Sequence, residues 1–434
     1  MKISVIGCGY LGAVHAAAMA SLGHEVVGID VDAAKIESLA AGVPPFFEPG
    51  LPEILKAGID SGRLRFSTDF ADAADARVHF IGVGTPQRKD GQGADLTYVN
   101  ASIASLKPHL KPGSLIAGKS TVPVGTAARL AEEVRETGAH LAWNPEFLRE
   151  GFAVEDTVDP DRLVYGVADE TRDEDVATLD EVYASIIAKG TPRLVMNHAT
   201  AELVKISANS FLATKISFIN AMAEIAEVAG ADVTQLADAI GLDARIGRRF
   251  LNAGVGFGGG CLPKDIRAFT ARAEELGKGE SLAFLKEVDQ INLRRRQHMV
   301  DMVVDSFDGR AYGHRVAVLG LAFKPDSDDV RDSPALDVAV RLHGLGAEVV
   351  SYDPEAMTNA ARLHPQLTYA PSIDDALEGA EAVVIVTEWK QFRELDPIAV
   401  AAKAARPHVF DGRNVLDPGA WRDAGWTYRG MGRS

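Results

Sequence analysis

The chain has 434 residues, 47% of them apolar, and a formal net charge of −16; that is enough chain for two or three domains at about 100–200 residues each. The acidic balance argues against nucleic acid or an anionic membrane as partner, and any anionic ligand must be held by a local cluster of Lys and Arg. Two distant cysteines make no disulfide framework, eleven scattered histidines show no metal-ligand spacing, and no apolar run reaches the roughly 20 residues of a membrane span; with no signal-peptide pattern before the first strand, the expectation is a cytoplasmic protein without a metal.

Residues 2–6 read as a buried strand running into Gly7-Cys-Gly-Tyr-Leu-Gly12 and an alanine-rich helix through Leu22. Residues 23–30 form a second strand ending in Asp30, eighteen residues after Gly12. Strand, glycine triplet, helix, strand and acid together describe a dinucleotide-binding unit of the Rossmann type. The glycines allow a tight turn and the approach of a pyrophosphate to the helix N-terminus, and Asp30 accepts hydrogen bonds from ribose hydroxyls. A carboxylate there repels a 2′-phosphate, so NAD is favoured over NADP. Cys8, inside the turn, is read as packing. Further strands end at Thr85-Pro86, at Ser120-Thr121-Val-Pro123 and at Asn144-Pro-Glu146-Phe-Leu-Arg-Glu150. In an open parallel sheet ligands lie beyond the carboxyl ends of strands, which makes these polar residues candidates, although Thr-Pro and Asn-Pro are also turn chemistry.

Residues 200–229 carry a long helical pattern, with Leu203, Ile206, Phe211, Phe218, Met222 and Ile225 giving apolar faces wide enough for burial on several sides. Lys205 and Asn209 stand four apart and share a face; a Lys on such a helix is otherwise snorkelling or paired. A helix of this length suits a spine between domains and a dimer interface. The stretch 250–265 then places five glycines around Phe257 ahead of Cys261. Pro263 suits a first helical turn, so Cys261 falls just before a helix N-terminus with Lys264 nearby, and both features favour thiolate. The plainer reading is a glycine loop with a small buried Cys.

From residue 314 a second unit resembles the first, and Gly346-Ala-Glu-Val-Val-Ser-Tyr-Asp353 echoes Gly23-His-Glu-Val-Val-Gly-Ile-Asp30. The full glycine triplet is missing, and the polar run 323–334 stands in its place, so this copy keeps the fold and takes another ligand. Later strands are expected at 382–389 and 408–414, and the tail 428–434 is expected to be disordered. The fold class is α/β: two Rossmann-like, doubly wound domains joined by a long central helix, with boundaries at 1–195, 196–300 and 301–434.

A nicotinamide site implies hydride transfer, and an activated Cys extends it. A thiol adds to an aldehyde, and the thiohemiacetal can lose a second hydride to give a thioester that water hydrolyses. Lys205, Asn209 and Thr121 could stabilise an oxyanion and order water, while Glu146 or Asp265 could act as base.

These motifs resemble the UDP-glucose/GDP-mannose dehydrogenase family across essentially the whole chain. The most specific is Gly254-Val-Gly-Phe-Gly-Gly-Gly-Cys261-Leu-Pro-Lys-Asp265, supported by Gly84-Thr-Pro86, Leu203-Val-Lys-Ile-Ser-Ala-Asn209, Phe323-Lys-Pro325 and Asp411-Gly-Arg413. The resemblance implies a homodimer or higher homo-oligomer that oxidises a nucleotide sugar twice with NAD, converting UDP-glucose to UDP-glucuronate. UDP-N-acetylmannosamine or GDP-mannose as substrate, or a non-catalytic sensor, are the alternatives. It makes Cys261 the nucleophile, with Asp265 polarising water, Lys205 and Asn209 on the oxyanion, Thr121 holding a water and Glu146 as hydrolytic base. Gly7, Gly9, Tyr10, Leu11, Gly12, Asp30, Lys35, Thr85, Thr121, Glu150, Lys264 and Arg331 fall to the cofactor. Phe147, Leu148, Arg149, Glu150, Lys205, Asn209, Phe250, Leu251, Asn252, Gly254, Phe257, Gly258, Cys261, Phe323, Lys324 and Arg413 fall to the sugar nucleotide, and Arg245 reaches the neighbouring subunit's substrate. Gly260 stands where such sequences often have Ser.

Overall fold

The computed structural model describes residues 1–433, which fall into two compact units: Met1–Ala208 with Ala271–Leu276, and Asn209–Thr270 with Gly277–Ser434. The first unit is built on eight strands: β1 Lys2–Ile6, β2 Glu25–Ile29, β3 Leu64–Ser67, β4 Val78–Ile81, β5 Leu115–Gly118, β6 His140–Trp143, β7 Leu163–Gly166 and β8 Arg193–Met196. They lie in the order β3-β2-β1-β4-β5-β6-β7-β8, and every pairing is parallel except β6 with β7. Strands such as β4 and β5 are buried at every position and apolar but for His79, as a parallel sheet covered on both faces requires. The pleat sends Ile3 and Val5 to one core cluster and Ile6 to the other. Helix α1, Tyr10–Ser21, buries Gly12 through Ala20, and its run of alanines lets it lie close against the sheet.

In the second unit β9 Arg315–Leu319, β10 Glu348–Tyr352, β11 Thr368–Tyr369, β12 Ala382–Ile385, β13 His408–Asp411 and β14 Thr427–Gly430 form an all-parallel sheet ordered β11-β10-β9-β12-β13-β14. Reading from β9, this is the order of the first six strands of the other sheet, so the repeat seen in the sequence is a repeat of topology. Asp353, the counterpart of Asp30, is fully buried, and its Oδ2 accepts from the N–H groups of Leu321 (2.7 Å) and Ala322 (3.0 Å).

The expected disorder of the tail is corrected. Residues 427–430 pair with β13, Tyr428 is buried with its hydroxyl 3.1 Å from Asp411 Oδ2, and the Gly432 N–H donates to Glu227 Oε1 at 2.9 Å. The alternation of exposed Thr427 and Arg429 with buried Tyr428 and Gly430 is that of an edge strand. Ser434 lies outside the described residues.

Helix α2, His198–Ala229, has 32 residues and so spans about 48 Å. It starts two residues earlier than its apolar pattern because the Asn197 side chain caps it, accepting from Thr200 N at 2.9 Å. Helices α3, Leu262–Glu275, and α4, Ala283–Asp305, follow. Among the described residues no helix is long and apolar enough to cross a membrane.

Candidate active site

In the first unit the glycine triplet turns the chain from β1 into α1. A Cβ on Gly12 would lie 1.7 Å from Gly7 O, so only glycine lets the helix pack on the turn; a Cβ on Gly9 would meet nothing within 4 Å. Close packing behind and open space in front fit a pyrophosphate approaching the helix N-terminus. Asp30, at the end of β2, takes the Cys8 N–H at 2.8 Å and the Lys35 ammonium at 2.9 Å on Oδ2. Burial pushes the Cys8 thiol far up, with Asp30 adding to the effect, which makes it a packing group. The Tyr10 phenol donates to Glu48, whose carboxylate also accepts from Gly151 N (2.6 Å) and Ala153 N (2.7 Å), fixing the loop after Glu150.

The carboxyl ends of β5 and β6 bring other candidates together. Thr85 Oγ1 donates to Thr121 O at 2.8 Å. Glu202 on α2 accepts from Gly125 N and Ala127 N at 2.7 Å each, and Arg272 donates to Val124 O, so the turn after Thr121 is held from two sides. Glu146 Oε1 lies 3.0 Å from Lys205 Nζ, and its Oε2 accepts from Leu148 N at 2.7 Å. Lys205 is buried and sits 5.4 Å from the Phe147 ring centroid, with Arg162 stacked 3.7 Å from the same ring. Arg149 is spent on Asp156 at 2.6 Å and stands out in solvent.

In the second unit Cys261 is exposed and directly precedes α3, its carbonyl accepting from Asp265 N at 3.0 Å. Asp265 is buried; its Oδ2 accepts from Asn209 Nδ2 at 2.6 Å and its Oδ1 lies 2.5 Å from Lys264 Nζ. The ammonium expected to favour the thiolate is thus already engaged by an acid. Lys205 and Asn209, one turn apart on α2, engage different carboxylates.

The glycine loop is held along its length. Gly254 N donates to Asn220 Oδ1 at 2.9 Å, and Asn292 of α4 grips both backbone groups of Phe257, at 2.7 and 2.9 Å. Arg296 adds a bond to Phe257 O at 3.2 Å. A Cβ on Gly258 would fall 2.3 Å from Asp332 O, so the loop's close seat on that segment requires glycine. Leu251 and Phe257 are buried, Asn252 is exposed and bonded to Arg248, and Phe250 adopts φ 66°. Arg413 donates to Gly256 O (2.8 Å), Val386 O (2.9 Å) and Phe323 O (3.2 Å) and pairs with Glu388. Lys324 lies 5.7 Å from the Phe323 ring centroid, and Arg331 pairs with Asp329 at 2.7 Å. Arg245 is brought to no other candidate: it is 89% exposed at the side chain and pairs with Asp243.

Three family models cover the chain in order: the NAD binding domain (residues 1–187), the central domain (199–294) and the UDP binding domain (317–418) of the UDP-glucose/GDP-mannose dehydrogenase family. The chain belongs to this family. It is accordingly an NAD-dependent oxidoreductase acting on a nucleotide sugar. It is 41% identical to the UDP-glucose 6-dehydrogenase TuaD of Bacillus subtilis, over 100% of this chain and 93% of that one. It is also 41% identical to the UDP-glucose 6-dehydrogenase of Rhizobium meliloti, over 100% of both. A UDP-glucose dehydrogenase structure from Pyrobaculum islandicum superposes with a TM-score of 0.90 at 40% identity, covering 100% of this chain and 98% of that one. A UDP-D-ManNAc dehydrogenase structure from Pyrococcus horikoshii gives 0.86 at 26%, covering 100% and 99%.

Sequence reasoning missed the residues that hold the family's motifs in place: Glu48, Lys119, Glu202, Asn220, Asn292 and Arg296. A signal existed for two. Asn292 and Arg296 fall on the buried stripe of α4 with Leu285, Val288, Met299 and Val303, where a polar side chain needs a partner. Glu48 sits between aromatic residues and a Pro-Gly turn, with nothing local to mark it as buried.

Proposed function

We propose that the chain oxidises the C6 alcohol of UDP-glucose to the carboxylate of UDP-glucuronate, with two NAD per sugar. The observation that carries the reading is an exposed thiol at the head of α3, one turn before a buried acid bonded to Asn209. The relatives' names, at 41% identity over the whole chain, support the substrate. NAD, when bound, accepts the hydride of each oxidation. Gly7, Gly9, Tyr10, Leu11, Gly12, Asp30, Lys35, Thr85 and Thr121 would hold it, with Glu150, Lys264 and Arg331 completing the set.

The alcohol first loses a hydride and a proton to become an aldehyde. Cys261 Sγ adds to its carbonyl carbon, and the resulting thiohemiacetal loses a second hydride and proton to become a thioester. Water then cleaves the carbon–sulfur bond, releasing the carboxylate and returning the thiol. Lys205 and Asn209 stabilise the oxyanion, Thr121 and Asp265 order water, and Glu146 takes its proton. Holding the aldehyde as an adduct makes the second oxidation effectively intramolecular, where effective molarities of ~10⁵–10⁸ M are attainable. The sugar nucleotide falls to residues 147–150, to the glycine loop and to Phe323, Lys324 and Arg413.

A homodimer is supported by α2, where Phe211, Phe218 and Ile225, seven residues apart, lie open to solvent in one chain. The function is tested by a panel of nucleotide sugars followed at the NADH absorbance band. UDP-glucose should be preferred and yield two NADH per sugar with no free aldehyde; one NADH per sugar, or faster turnover of another nucleotide sugar, refutes the reading.

A further inference from the structure

Lys119 follows β5 at the carboxyl edge of the first sheet, and the reaction described above gives it no role. Its side chain is buried, with Nζ 3.0 Å from Asn144 Oδ1 and 3.4 Å from the Tyr183 hydroxyl. The ring centroids of Phe80 and Tyr183 lie 5.6 and 5.8 Å away. None of these partners is a carboxylate. Asn144 is itself fixed, accepting from Tyr183 at 2.6 Å and donating to Val164 O at 2.9 Å, and it stands two residues before Glu146. The charged and titratable groups facing Lys119 come from every neighbouring element: Glu146 from the turn after β6, Lys205 from α2, Tyr183, and His15 of α1, which burial and the Lys119 charge hold neutral.

Glu146 and Lys205 are closed on each other at 3.0 Å. While that pair is closed, neither group is free for chemistry. Lys205 must leave to meet an oxyanion, and breaking a buried pair leaves an uncompensated carboxylate, which is costly. We propose that Lys119 is a positioning residue whose buried positive charge, set behind the Asn144-Pro-Glu146 turn, balances the Glu146 carboxylate when Lys205 turns to the substrate. The hydrogen bond to Asn144 fixes where that charge stands. Without it Glu146 leans more heavily on Lys205, and the pair opens less often.

The inference rests on the roles proposed for Glu146 and Lys205. Its test is Lys119→Met, which keeps an unbranched apolar stem and removes the charge. The kcat at neutral pH should fall about tenfold, while KM for NAD and for UDP-glucose change less than about twofold. Burial brings the Lys119 ammonium down to about 8. Wild type therefore loses the charge above that pH, and the ratio of wild-type to variant kcat should shrink toward one by about pH 9.5. A ratio that does not vary with pH marks a merely structural lysine and overturns the proposal, as does an unchanged kcat at neutral pH. If the variant does not fold, wild type decides: kcat must decline between about pH 7.5 and 9.5, and a flat or rising alkaline limb overturns the proposal. Failure of the underlying roles is seen separately, as wild-type turnover in Glu146→Gln or Lys205→Ala.

Discussion

Asp30 holds its own turn at the end of β2 and keeps only 10% of its side chain exposed. Its carboxylate takes the Cys8 N–H and the Lys35 ammonium, yet its position is where ribose hydroxyls are expected. Asp30→Ala should therefore narrow the preference for NAD over NADP by at least about tenfold, through loss of both the ribose bonds and the repulsion of a 2′-phosphate. The ratio of kcat/KM for the two cofactors measures this, and an unchanged ratio removes Asp30 from cofactor choice. Cys261→Ser should abolish steady turnover, because an alkoxide forms less readily than a thiolate. Mass spectrometry of wild type quenched during turnover should show the acyl adduct on Cys261; its absence, or wild-type glucuronate production by Cys261→Ala, defeats covalent catalysis. At this scale the sequence announced residue types better than partners. The glycine triplet and Cys261 are local patterns whose spacing carries their physics. The Lys205–Glu146 pair joins residues far apart in the chain, and no periodicity predicts it.

The glycine loop buries Leu251, Val255 and Phe257, but its glycine-rich backbone is held largely by neighbouring segments, α4 among them. Asn292 satisfies both the N–H and the C=O of Phe257 from a fully buried position. Asn292→Leu leaves both backbone groups without that partner, at about 1–3 kcal/mol each. Thermal unfolding should show the loss, and Cys261 should be alkylated at a rate different from wild type, since the loop that carries it is no longer pinned. Unaltered melting and alkylation together remove Asn292 from the support of the loop. The α2 helix makes a second demand. Phe211 and Phe218 are 66% and 48% exposed in the single chain, and a stripe of this kind on a long helix calls for a partner. Phe218→Glu should lower the oligomeric mass in sedimentation to that of one chain; a variant that sediments as wild type places the interface elsewhere. The helix itself was legible from its apolar period, but its first residue was not, because the Asn197 cap is a local hydrogen bond and not a hydrophobic signal.

Across the whole molecule, the acidic net charge leaves few cations for a diphosphate. Arg413 is committed to three backbone carbonyls and Glu388, and Arg149 to Asp156. Arg245, 89% exposed at the side chain, pairs with Asp243 two residues before it and stands on the surface. If it serves the neighbouring subunit, inactive Cys261→Ala and Arg245→Ala chains should complement each other. A mixed dimer then has one doubly damaged site and one intact site, and random pairing of equal amounts restores roughly a quarter of all sites. Exchange of subunits without recovery of activity shows that Arg245 does not act in trans. The repeat of topology was legible at this scale because strands and acids recur in register. The fate of the tail was not: residues 427–430 form a short edge strand whose place is set by β13, a pairing that only the folded sheet supplies.

The two acids that close the second strands of the repeats stand in opposite surroundings. Asp30 retains an outlook on solvent, whereas Asp353 is wrapped by five donors: the N–H groups of Leu321, Ala322, Glu355 and Ala356 and the Trp389 indole. In the second copy of the topology, the acid at the position of Asp30 serves as a rivet. Restoring the missing glycines of the second turn would not restore a dinucleotide site, because the acid that should greet the ribose now keeps its own loop closed. Freeing it would strand several buried N–H groups at once. Asp353→Asn should thus lower the melting temperature of the protein and leave its affinity for NAD where it was.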